Sequence, residues 1–197
     1  MNHLVRIATI ILAVLATSLG PSPFQIQARA EVNQDRARAV TEQLLTRANQ
    51  ALRVNDNAAL REAIRSAFDF DVWERFLSEP RADRFTPAQR ARFRDLLPGY
   101  LAYLYHEQFD RGLDTPPQIG EVRPARRDVL VGATFKRAGG RDLPVQWRLR
   151  ESASGPQIID VMVGGTSFLL LKRDEFTSMI DRGGVDTLLR FMEQHSL

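Results

Sequence analysis

The chain of 197 residues contains no cysteine. An exported protein of this composition has no disulfides and depends on its core for stability. Histidine is scarce: His3, His106 and His195 are widely separated. Without thiols, such isolated imidazoles do not form a transition-metal site. His106 reads as a residue of a helix surface, and His195 stands near the terminus. G-x-S-x-G, the P-loop lysine and H-E-x-x-H are all missing, so no familiar catalytic motif is present. Lysine is nearly absent as well, with only Lys136 and Lys172; the remaining basic residues are arginines interleaved with acids. That mixture argues against a surface that reads phosphates, and no nucleic-acid partner is expected. RFTPAQRARFRD (Arg84–Asp95) is basic on one side but has no aromatic residues interleaved there, so it reads as a solvated helix face.

The first thirty residues stand apart. MNHLVR is basic, and Ile7–Gly20 is an apolar run. Ala28-Arg29-Ala30 fits the small-x-small cleavage pattern of a secretory signal peptide. The run is short against the ~20 residues of a membrane span; a retained anchor is the alternative reading. No cysteine follows, so lipoprotein processing is not expected. Removing 1–30 takes away two arginines and no acid, which lowers the formal net charge from +3 to +1. What remains, residues 31–197, reads as a single domain, large enough to bury roughly 70% of its unfolded surface.

Segment 21–34 reads as a linker. Val40, Leu44, Leu45, Ala48 and Leu52 then recur at helical spacing. Asn57 is placed to cap a second helix carrying Leu60, Ile64 and Phe68. FDFDVWERFL (Phe68–Leu77) is a further short amphipathic piece. Thr86-Pro-Ala-Gln89 has the residues of a capping box with proline at the first helical position. It predicts a long helix to about Phe109, burying Phe93, Leu97, Leu101, Leu104 and Tyr105, kinked or split at Pro98-Gly99. Asp114–Pro117 predicts a loop.

From Gln118 the period changes to two. Val129, Val131, Ala133 and Phe135 share one strand face. Ala138–Asp142 reads as a turn. Leu143, Val145, Trp147 and Leu149 share a face of the next strand, opposite Gln146, Arg148 and Arg150. Gln157–Val163 is another strand, and Gly164-Gly165 is a corner. It leads into a helix of about Ser167–Arg182 with Gly183 beyond its end, then a last helix burying Val185, Leu188, Leu189 and Met192. The expected fold is α+β, with helices around a curved antiparallel sheet of about four strands.

The chemical candidates are few. Gly164–Ser167 could cradle an anion at a helix start, though a tight corner is the simpler reading. Asp160 lies in an apolar strand; it either faces solvent, accepts backbone donors at the corner, or serves catalysis beside Tyr103 or Tyr105. Trp147 is either packed core or pocket wall.

Four stretches, in order, resemble the toluene-tolerance / MlaC family. They are FDFDVWERFL, FTPAQRARFRDLLPGYLAYLY, LPVQWRLRE and IIDVMVGGTSFLLLKRDEFTSMIDRGGVDTLLRFM, which together span roughly 68–192. Leu77-Ser-Glu-Pro80 and Pro98-Gly99 depart from the family pattern. The family comprises soluble periplasmic phospholipid-binding components of bacterial ABC lipid-transport systems, one branch being associated with hopanoid synthesis. The resemblance implies a cone-like sheet wrapped by helices, with a diacyl phospholipid held between them in an internal apolar cavity. It implies exchange with an inner-membrane ABC transporter complex and an outer-membrane lipoprotein complex, only transient proximity to membranes, no cofactor and no enzymatic activity.

Such a carrier must offset the exposure of about 30 methylenes, on the order of 24 kcal/mol at about 0.8 kcal/mol each. Its slot must therefore be long, dry and apolar. Val129, Val131, Phe135, Val145, Trp147, Val161 and Val163 from the sheet, and Leu97, Leu101, Tyr105 and Phe168 from helices, are the candidate lipid-binding residues. The pattern does not separate lining from packing among them. Lys172 or an arginine at the rim is placed to meet a phosphate. Two other readings stand beside the carrier. One is an enzyme using Asp160 with Tyr105 or His106 as acid and base; the other is an interaction module without a cavity.

Overall fold

The structure, a computed structural model, describes residues 32–109, 117–136 and 142–197. The expected signal peptide, most of the linker, most of the turn at 138–142 and most of the loop at 114–117 lie outside those residues.

Polar caps set the helix starts. Helix α1 (Gln34–Arg53) begins where the Asn33 side chain accepts the Arg36 N–H at 3.1 Å. Helix α2 (Asn57–Ala67) is capped by Asp56, whose carboxylate accepts from Ala59 N at 2.9 Å. The expected cap, Asn57, is instead the first helical residue; Asp56, one position earlier, takes the cap, a place aspartate fills as well as asparagine. Phe68 ends α2 in extended conformation and bridges Ile158. Asp69 then caps α3 (Phe70–Ser78) through Val72 N. A 3₁₀ segment, Glu79–Arg84, follows with Pro80 near its start.

Helix α4 (Pro87–Phe109) opens with the expected capping box. Gln89 N donates to Thr86 Oγ1 at 3.2 Å, and Thr86 N donates to Gln89 Oε1 at 3.0 Å. The split at Pro98-Gly99 does not occur: α4 runs through as one helix with Pro98 inside it. Proline removes one intrahelical bond, but Leu97, Tyr100 and Ala102 around it are buried and hold the helix in place. Gly99 has its own use. A Cβ there would collide with Ser196 Oγ, and Leu197 N donates to the Gly99 carbonyl at 3.2 Å. The pair thus makes room for the C-terminal tail.

The sheet is antiparallel, in the order β1 (Gln118–Ala125), β2 (Asp128–Phe135), β3 (Leu143–Ser152), β4 (Gly155–Val163), β5 (Thr166–Ser167). It has five strands rather than four. Gly164 (φ 59) and Gly165 (φ 87) make a two-residue turn, a conformation glycine adopts without strain. The turn lets Thr166 and Ser167 pair back onto Val163 and Met162 before the helix starts. Register irregularities in β1 and between β3 and β4 bend the sheet. Val131, Trp147 and Val161 lie opposite one another and form one inward row. Helix α1 crosses that face over β1, β2 and β4.

Ser167 caps α5 (Phe168–Gly183) by accepting from Leu170 N. The left-handed residue at its end is Gly184 (φ 77), one position beyond the expected Gly183. Helix α6 (Val185–Gln194) buries Val185, Leu188, Leu189 and Met192.

The outward face of the sheet carries an ion cluster around a buried acid. Asp128, whose side chain is fully buried, accepts from Arg148 Nε at 2.6 Å and from Arg150 Nε at 2.7 Å. Burial alone would raise its pKa. The hydrogen bonds from Arg150 and Arg148 outweigh that and hold the carboxyl below the usual range. The folded state therefore favours the charged form. This stabilisation is complete above the unfolded value of about 4 and is lost as pH falls through the lower folded one. Asp128→Asn is expected to lower stability by about 2 kcal/mol at pH 7, with the gap to the parent closing below pH 4. Denaturant midpoints of both proteins across pH check this; a gap constant with pH would sink it.

Candidate functional site

Helices and sheet do not close completely on each other. Between them lies a cavity of about 480 Å³, within the ~300–1,000 Å³ of small-molecule sites. Four groups of residues build its wall. Leu44, Ile64, Phe68 and Trp73 come from α1, α2, the following bridge and α3. Leu101, Leu104, Tyr105, Glu107 and Gln108 come from the C-terminal half of α4. Val145, Trp147, Val161 and Val163 come from β3 and β4. Thr166, Phe168, Leu171 and Lys172 come from β5 and the start of α5.

Burial shows which end is open. Leu44, Ile64, Trp73, Val145 and Trp147 are buried and form the floor. Glu107, Gln108, Thr166 and Leu171 are exposed and mark the mouth, between the end of α4 and the β4–β5–α5 corner.

Seven of the eleven expected residues lie on this wall: Leu101, Tyr105, Val145, Trp147, Val161, Val163 and Phe168. The other four, Leu97, Val129, Val131 and Phe135, are buried in the packed core away from it. Leu97 shares the stripe of Leu101 on α4 but lies one turn earlier and is fully buried. Val129 and Val131 lie one strand further from the opening, under α1. Phe135 packs its ring against Trp147, 6.1 Å between centroids.

Trp73 was not among the expected residues. Its indole is fully buried, and Nε1 donates to the Ile158 carbonyl at 3.2 Å. An aromatic ring in a nine-residue amphipathic helix next to a strand was the available signal. Leu44 and Ile64 gave none beyond ordinary helical periodicity.

Charge on the wall is sparse. Lys172 Nζ bonds Glu175 at 2.7 Å and lies 5.5 Å over the Phe168 ring and 5.9 Å over the Tyr100 ring. Burial pushes the Tyr105 hydroxyl well above its ordinary pKa, so it stays neutral. A neutral phenol among leucines and valines adds no charge to the wall.

The acid–base pairing of Asp160 with Tyr105 or His106 is not assembled. The pleat turns Asp160 to the face opposite Val161, in register with Arg148. Its carboxylate is occupied in holding the corner. One oxygen accepts from Val161 N at 2.8 Å and Leu169 N at 3.2 Å; the other accepts the Ser167 hydroxyl at 2.8 Å. Burial raises its pKa despite these donors. Of the readings open in the sequence, this is the one in which Asp160 accepts backbone donors at the corner. Among the described residues no group of three or more His, Asp or Glu could hold a metal, and no helix is long and apolar enough to cross a membrane.

Comparisons with known proteins add to this geometry. The family described as MlaC protein matches the chain over residues 34–194. No curated protein matches it. Among solved structures, it is similar to a phospholipid-binding protein from Ralstonia solanacearum determined in complex with a phospholipid. The TM-score is 0.66 at 19% identity, covering 84% of this chain and 97% of the other. At that identity the likeness shows the fold.

Proposed function

The chain belongs to the MlaC family, and from that premise we propose that it is a phospholipid carrier whose cavity shields acyl chains from water. The observation that carries this is the apolar space between helices and sheet, with a mouth at one end. Leu101, Tyr105, Val145, Trp147, Val161, Val163 and Phe168 contact the tails, with Leu44, Ile64, Phe68 and Trp73 at the floor. Each methylene moved from water into such a space contributes about 0.8 kcal/mol, whereas one hydrogen bond contributes about 1 kcal/mol. Affinity thus follows tail length, and the headgroup stays near water. Lys172 is the cation on the wall, and a phosphate would compete with Glu175 for it.

The reading extends to the cell. Residues 1–30 are a leader removed on export to the periplasm, leaving residues 31–197 as one domain. The carrier exchanges lipid between an inner-membrane ABC transporter complex and an outer-membrane lipoprotein complex, and it performs no chemistry on its cargo.

Native mass spectrometry of the protein expressed with its leader tests the proposal. The expected spectrum shows the chain cleaved near Ala30 with a co-purifying phospholipid. Recovery without lipid, together with no uptake from vesicles, would count decisively against a carrier.

A further inference from the structure

Pro98 and Gly99 stand in the middle of α4, where both weaken a helix. Pro98 has no N–H to donate to the Arg94 carbonyl. Gly99 is kept small by contact: a Cβ there would collide with Ser196 Oγ and stand 3.1 Å from the Leu197 carbonyl oxygen.

The pair divides α4 into unlike halves. Before it, Phe93 and Leu97 are fully buried. After it, burial ends at Ala102; Tyr103, Leu104 and Tyr105 are half-buried, and Glu107 and Gln108 are exposed. Every residue that α4 gives to the cavity wall lies in this second half, beginning with Leu101.

Residues His195–Leu197 lie against the back of that half. Leu197 N donates to the Gly99 carbonyl at 3.2 Å. The His195 ring meets Tyr103 edge-on at 5.2 Å and Phe191 of α6 at 4.4 Å, and its Nδ1 is 2.8 Å from the Phe191 carbonyl oxygen. Helical spacing turns Gly99 and Tyr103 away from Leu101, Leu104 and Tyr105. The cavity and the 195–197 segment therefore flank the helix on different sides.

We propose that the second half of α4 is a movable wall of the slot, bending at Pro98-Gly99, and that His195–Leu197 form the strap that backs it. The proposal rests on the carrier reading and says how that slot admits and releases a tail. Bending is easiest at this point of α4, because one helical bond is already missing and glycine has no side chain to clash. The stretch from Gly99 to Gln108 is about 15 Å long, so a bend of about 10° moves its tip by about 2–3 Å. The tip carries Glu107 and Gln108 at the mouth, so the opening widens while Phe93 and Leu97 stay packed. Motion of α4 away from β3 and β4 runs into the strap, which must yield first.

Gly99→Ala and Pro98→Ala test the hinge in opposite senses. Alanine at 99 improves the helix but displaces Ser196. Loss of bound lipid to an excess of phosphatidylglycerol vesicles is expected to be on the order of tenfold faster, the scale of a conformational coupling. Adding Ser196→Gly to Gly99→Ala relieves the collision and is expected to return the rate toward that of the parent. Pro98→Ala restores the missing donor and is expected to slow the loss. Hydrogen exchange of lipid-free protein reads the same wall without cargo. Gly99→Ala is expected to speed exchange over Leu101–Gln108 and leave Gln89–Leu97 unchanged. Parental rates of lipid loss in both single variants overturn the movable wall, as does unchanged exchange beyond Gly99. Faster loss in Gly99→Ala that Ser196→Gly does not reverse overturns the strap. In each of these cases a lipid-loaded parent leaves the carrier reading standing; a parent that never carries lipid overturns both.

Discussion

Trp73→Ala is expected to lower stability by about 4 kcal/mol. For a domain of this size that is a fall of about 8–16 °C in Tm. The indole is fully buried and lines the floor of the cavity, so its removal widens a space that is already there. It also ties helix to sheet. Its Nε1 donates to the Ile158 carbonyl, and its ring meets Phe68 edge-on at 5.4 Å. Phe68 in turn bridges Ile158. Trp73→Phe separates bulk from bonding. The Ile158 carbonyl keeps the Asp69 N–H at 3.0 Å, so the phenylalanine variant is expected to lose only about 1 kcal/mol beyond its smaller volume. Denaturant titration of both variants decides. A loss below 1 kcal/mol for the alanine would show that this contact is not what joins α3 to the sheet.

Leu104→Glu is expected to reduce lipid retention by at least ~100-fold while leaving the chain folded; 100-fold corresponds to about 2.7 kcal/mol. Leu104 is half-buried on α4, one turn from the exposed Glu107 and Gln108 at the mouth. Glutamate is a good helix former, and in the empty protein its carboxylate can reach water. A tail seated in the slot would strip that water away, and desolvating an unpaired carboxylate costs several kcal/mol. The penalty therefore falls on the loaded state alone. Native mass spectrometry of the purified variant, with Leu104→Met as the conservative control, reads the outcome. Full lipid occupancy in Leu104→Glu would mean that tails do not lie along this part of α4.

The two variants differ in how well the sequence announced their residues. Leu104 was legible as an inward residue because α4 repeats Phe93, Leu97, Leu101 and Leu104 on one stripe after an unmistakable capping box. Trp73 was not, because a nine-residue helix offers too few turns to show which way its ring points. The same stripe of α4 also shows the limit of periodicity. Leu97 and Leu101 are equivalent in pattern, yet Leu97 is fully buried in the packed core, while Leu101 lines the cavity. Asp160 shows a different limit. Its pairing with Tyr105 or His106 was conceivable along the chain, but a strand alternates its sides, and Val161 had already taken the inward one. The fifth strand was missed because two residues are too short to carry a period. Of the kink or split that Pro98 allowed, the split does not occur, since α4 continues through it.

Local chemistry along the chain was enough to determine the element types, most of the helix starts and the inward sheet face. These follow from nearest-neighbour forces: capping bonds, side-chain period and the conformations glycine and proline allow. Whether the inward faces meet or stand apart depends on how far distant segments can approach, which no local pattern encodes. That distance was settled only when α1, α3, α4 and the bent sheet packed together, leaving a gap where the last turns of α4 diverge from β3 and β4.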